Sequence, residues 1–159
     1  MPFTPFHFGP GLFVKAIDPR QVSLGAFAAT QVVVDLEPLY YIARGEYPVH
    51  RWTHTIWLGG AIGLATGALL ALLARRWLAT AHEAVRADLA LGAALVGGLI
   101  GGVSHPILDG LMHRDVRALR PFSEATWVLH PSQIPALHVA CLLLGVLGGL
   151  RLVAHRANP

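Results

Sequence analysis

Ile56–Arg76 reads IWLGGAIGLATGALLALLARR. From Ile56 to Ala74 it carries no charge, and as a helix it is about 30 Å long, the thickness of a bilayer's hydrocarbon core. Arg75 and Arg76 close it as an interfacial stop. Two further runs, Leu89–Leu108 and Ile134–Val153, are of similar length and character. A fourth, Val22–Ile42, is interrupted by Asp35 and Glu37. Pro38 disfavours a helical Glu37, so that helix is expected to end near Asp35 or Leu36. Phe6–Ile17 is apolar but too short to span alone. The predicted fold is all-α: an integral membrane helical bundle with four long hydrophobic helices plus a short N-terminal helical segment, one domain over residues 1–159.

Composition points the same way. Of 159 residues, 54% are hydrophobic and 13% charged, against about 25% charged in soluble domains, and mean hydropathy is +0.54. Such numbers exclude a disordered chain, and the single Cys141 excludes an intrachain disulfide. The 12 Lys+Arg and 9 Asp+Glu are dispersed, so no basic face for nucleic acid forms. Membrane lipid is the expected surround, and assembly into a homo-oligomer is left open. No Lys or Arg precedes Lys15, so the N-terminus lacks a signal peptide's basic region and is read as retained. Gly59, Gly63 and Gly67 form a stripe at every fourth residue, with Gly97/Gly101, Gly98/Gly102 and Gly145/Gly149 similarly spaced. Bare backbones at that spacing let membrane helices approach closely.

If the main helices alternate between two membrane faces, the polar residues collect on one. Asp35 ends the first run there, His50 and His54 precede the second, and His105, Asp109, His113 and Asp115 close the third. An antiparallel pairing of Phe6–Ile17 with Val22–Asp35 returns His7 to the same layer. Spacing supports convergence: His50/His54 and His105/Asp109 are each four apart, one turn if helical. Neutral imidazole and carboxylate suit zinc and other first-row divalent ions, and a metal explains ionisable groups near hydrocarbon. A His pair alone more often snorkels at an interface; the joint pattern favours a metal site.

Arg51, between the paired histidines, suits bidentate recognition of phosphate, with a headgroup contact as the equal alternative. Asp115 reads as a carboxylate orienting a ligating histidine or, more simply, as an exposed loop acid. Glu37 and Glu124 are loop acids that no spacing selects. His82, His130 and His155 are most simply solvated, His138 a hydrogen-bonded core histidine, and Cys141 inert packing. No phosphate-cradling glycine loop or nucleophile elbow is present.

These residues resemble the YdjM-like family of small bacterial inner-membrane proteins described as membrane-bound metal-dependent hydrolases. The matching elements are Thr4-Pro5-Phe6-His7, Asp35 at the end of the first hydrophobic helix, His50-Arg51-x-x-His54-Thr55 and Ser104-His105-x-x-x-Asp109. They run from about residue 4 to 115. The chain departs in carrying Asp35-Leu36-Glu37 where an Asp-x-Asp pair is common, and in its threonines around His54. The resemblance implies His7, Asp35, His50, His54, His105 and Asp109 as the metal-site residues.

The expected function is a membrane-bound metal-dependent hydrolase acting on a phosphoester or other ester of a lipid-associated substrate, with Arg51 stabilising transition-state charge. The alternatives are a non-catalytic metal-binding or transport protein, and a structural membrane protein with interfacial histidines. More protein ligands are available than one catalytic zinc needs, so one or two divalent ions, zinc foremost, are expected, with His113 as a further ligand. Lys15, Arg20, Arg75, Arg76, Arg86, Arg151 and Arg156 fall on the face opposite the site, seven of the 12 basic residues. The positive-inside rule then places the site on the periplasmic side of the inner membrane.

Overall fold

The computed structural model describes residues 5–77 and 82–157. Thr4, part of the N-terminal motif, lies outside them. Among the described residues every regular element is helical. A 3-10 turn, Pro5–His7, leads into α1 (Phe8–Ile17), followed by α2 (Leu24–Val34), α3 (Leu36–Ala43), α4 (Ile56–Trp77), α5 (Glu83–Asp88), α6 (Leu91–Met112) and α7 (Ile134–Ala157).

Among the described residues three helices are long and apolar enough to cross a membrane, α4, α6 and the one spanning Pro131–His155. The fourth expected long helix is two short ones. Eleven residues of α2 cover about 16 Å, half a bilayer core. Pro38 is the physical reason for the break: it has no N–H for the Val34 carbonyl four residues back. Thr53 Oγ1 reaches that carbonyl instead, at 3.0 Å. Helical geometry resumes at once, so Glu37 is helical after all, in the first turn of α3, where proline is tolerated.

The bundle is built inside out. Leu69, Leu72, Leu143, Leu147, Leu150 and Val153 are exposed, whereas the covered apolar positions are mostly alanines, among them Ala26, Ala71 and Ala94, with Phe27 and Val34 as larger exceptions. Large apolar side chains mostly outward and mostly small ones at the helix contacts is the arrangement that suits lipid. Antiparallel α4 and α6 share a continuous glycine seam: a Cβ at Gly59, Gly63 or Gly67 would collide with the carbonyls of Gly102, Gly98 and Ala94. The opposite face of α6 seats α2, with Gly97 against the Ser23 backbone and Gly101 against Phe27. On α7 the close approach to α1 uses Gly145 and Gly148, and Gly149 meets only a Leu12 methyl.

At the end remote from His50, His54 and His105, one carboxylate ties the helices together. Asp88 accepts from Lys15 Nζ (2.7 Å), Ser23 Oγ (2.9 Å) and the N–H groups of Leu24 and Gly25 (3.1 and 3.0 Å), so it supplies α2 with an N-terminal cap from a distant segment. Lys15 spends its other donors on Pro19 O and Val22 O. Burial opposes the charge on Asp88, but these bonds outweigh it and hold the carboxyl below its usual range. Asp88→Asn should cost about 1–3 kcal/mol in the folded bundle. A depressed folded pKa means the contribution is whole above the ordinary value of 3.8 and is lost as pH falls through the folded one. Melting in detergent should therefore show a constant gap to wild type from neutrality to pH about 5 that closes at stronger acid.

Candidate metal centre

α2 ends at Asp35 with its side chain among the histidines; α6 brings His105 and Asp109; the segment before α4 brings His50 and His54. The last pair is not helical: residues 46–55 form an irregular loop ahead of Ile56. Glu37 shapes this loop, its Oε2 accepting from Arg51 N (3.2 Å) and Thr53 N (3.0 Å) and its Oε1 from Trp52 N (3.2 Å). Asp115 braces the other flank, taking the N–H groups of Val49 and His50 at 3.0 and 3.1 Å. The two rings thus meet at 4.6 Å between centroids without a helical turn between them.

Asp35, His54, His105 and Asp109 each offer a ligand atom, and all four atoms lie within 4.8 Å of one another. His54 Nε2 is 3.1 Å from Asp109 Oδ2 and 3.6 Å from Asp35 Oδ1; His105 Nε2 is 3.2 Å from both carboxylates. Zinc bonds of about 2.0–2.1 Å in a tetrahedron separate neighbouring ligand atoms by roughly 3.3 Å. The buried cluster can hold a metal ion. A second group, His50, Asp109 and His113, shares Asp109 with the first. His7 borders both groups, its Nε2 3.3 Å from Asp109 Oδ1 and its ring edge-on to His105. Burial pushes the His7 imidazole down to about 4, leaving the neutral ring that metals bind.

The outer nitrogens explain why the inner ones face inward. Gln31 donates through Nε2 to Gly101 O at 3.2 Å, which fixes its amide and turns Oε1 onto His105 Nδ1 at 2.6 Å. An acceptor at that distance requires the ring proton on Nδ1. His50 Nδ1 is likewise 3.0 Å from Asp115 Oδ2, and His54 Nδ1 is 3.2 Å from Thr53 Oγ1, which reaches Glu37 at 2.8 Å. His105 Nε2 then faces Asp35 and Asp109 either as a lone pair that a cation between them would accept or as a second N–H donor to the carboxylates. Among the described residues, three further buried atoms, His7 Nδ1 and Nε2 and Asp109 Oδ1, have no hydrogen-bond partner. Orphans of this kind are costly, and a bound cation is one group that would satisfy Asp109 Oδ1 and His7 Nε2, which stand 3.3 Å apart.

Asp115 is not an exposed loop acid. Its side chain is 8% accessible, and although burial opposes ionisation, the His50 ring and backbone hold its carboxyl well below the usual range. Arg51 faces a different set of partners: Glu46 Oε2 at 3.1 Å, Pro48 O at 3.0 Å and the Tyr41 ring at 3.5 Å. Glu124 pairs with Arg120 at 2.7 Å. His82 and His130 are exposed and cap the helical turns that follow them, and His155 is exposed. His138 stacks on Phe6 and touches Met112 Sδ at 3.3 Å. Gln31 escaped the sequence reading, although it lies one turn before Asp35 on the same face of an apolar run. Glu37 and Thr53 escaped because their work is on backbone groups, which carry no sequence signature.

The chain matches no family model, no curated protein and no solved structure.

Proposed function

We propose that the protein is a membrane-embedded, metal-dependent hydrolase of the YdjM-like kind, cleaving a phosphoester or other ester of a lipid-associated substrate. One observation supports this reading most: the imidazoles of His50, His54 and His105 have Nδ1 held by an outer partner and Nε2 turned toward buried carboxylates. Outer partners of this type orient metal-ligating histidines and raise their basicity. Asp35, His54, His105 and Asp109 would hold the ion, zinc being the best match to nitrogen and oxygen ligands. A bound divalent ion supplies Lewis acidity and an activated water at neutral pH.

The chain's own groups have separable tasks in this reading. Gln31, Asp115 and Thr53 fix tautomers and ring orientations, while Glu37 sets the loop that carries Arg51 to His54. Arg51 recognises the anionic group of the substrate, for which it exchanges Glu46 while staying on the Tyr41 face. The counter-reading, non-catalytic metal binding or transport, draws on the near-complete burial of the four-residue group, each member 3% accessible or less.

The test is hydrolysis of short- and long-chain phosphoesters and carboxylic esters in detergent micelles by zinc-loaded protein. Turnover of one class, lost in Arg51→Ala with metal content unchanged, is the expected result. Full zinc loading with no turnover of any of them would favour the counter-reading. The seven-to-five distribution of basic residues supports a periplasmic site in the inner membrane, and an alkaline phosphatase fused after Pro159 should then be inactive.

A further inference from the structure

Resting on the metal-centre reading above, the geometry points to a second metal position held by His50, His113 and Asp109, and to this position as the one that meets substrate. Asp109 has two faces. Its Oδ2 serves His54 and His105, while its Oδ1 stands 3.3 Å from His7 Nε2 and 3.8 Å from His113 Nε2. Oδ1 is buried and has no hydrogen-bond donor, so a ligand-type oxygen stands unused on the side away from the first group. His50 presents its Nε2 to the shared Oδ2 of Asp109 at 4.0 Å, its Nδ1 being held by Asp115, so the second position draws on both oxygens of that carboxylate. The His50 and His113 rings stack at 4.7 Å and 28°, which aligns both on the same carboxylate.

Accessibility divides the two positions. The first has four protein ligands with side chains 0–4% accessible, the pattern of a closed site. The second has three, and the His113 side chain is 25% accessible, leaving an open side for water or substrate as catalytic sites require. Charge supports two ions as well. Asp35 and Asp109 together neutralise one divalent ion, and Asp115, directly behind His50, adds a third carboxylate beside the second position. Contraction of the 3.8 Å separation falls on His113, which follows the last turn of α6 as its C-cap.

The experiment is zinc titration of metal-free protein in detergent, with bound metal counted by elemental analysis. Wild type should bind two equivalents, and His113→Ala and Asp115→Asn one each; the second variant reaches the position only through His50. In the cobalt-substituted protein, inorganic phosphate should shift the visible d–d band of wild type and leave that of His113→Ala unchanged. One equivalent in wild type, retained in His113→Ala, would overturn the second position while leaving the centre intact. Two equivalents with a phosphate-insensitive spectrum would overturn its role as the open one. No metal in wild type would remove the centre itself.

Discussion

Asp109→Asn should weaken zinc binding by at least about 100-fold, beyond the 10–100-fold typical of losing an orienting partner. Asp109 belongs to both ligand groups, and its oxygens lie within 4.0 Å of the rings of His7, His50, His54, His105 and His113. Asparagine keeps the shape but removes the charge and replaces one oxygen with an N–H donor aimed at nitrogens that must stay free. The metal-free bundle should still fold, because α6 packs through glycines that this change does not touch. Competition against a chelator of known affinity checks this. An affinity within tenfold of wild type would show that Asp109 is no ligand.

Gly98→Leu should prevent assembly of the bundle, at a cost above about 3 kcal/mol. A Cβ there runs into the Gly63 carbonyl, which is backbone on a facing helix and cannot step aside. The reciprocal change at Gly63 meets the Gly98 carbonyl and should behave alike. Gly92, on the same helix, has nothing within 4 Å of an added Cβ. Gly92→Ala should therefore be neutral or stabilise by up to about 1 kcal/mol through helix propensity. Size-exclusion profiles and melting in detergent separate the cases: aggregation at positions 63 and 98, a wild-type profile at 92. A folded, monodisperse Gly98→Leu would mean that α4 and α6 are not in backbone contact.

The long helices and their glycine seams were legible because run length and four-residue spacing are local properties of the chain. The gathering of Asp35, His54, His105 and Asp109 was legible for a related reason, since alternating spans send their ends to alternate faces. The route was less so. His50 and His54 meet through a loop, and what shapes it is Glu37 and Asp115 accepting backbone N–H groups, which no pattern of residue types announces. The broken run at Asp35 was half legible: Pro38 marked the interruption but not the helical restart, which depends on Thr53 reaching Val34 O. Arg51 shows the limit of adjacency, because a residue between two histidines in sequence turned its guanidinium to Glu46 and Tyr41.

Everything functional here depends on one proposition, that the buried cluster binds a divalent metal. The direct measurement is elemental analysis of detergent-purified protein, as isolated and after zinc reloading, beside His54→Ala. The account predicts at least one tightly held equivalent in wild type that survives gel filtration and falls in His54→Ala, with the variant still monodisperse. Folded wild-type protein that retains no metal after reloading would contradict it.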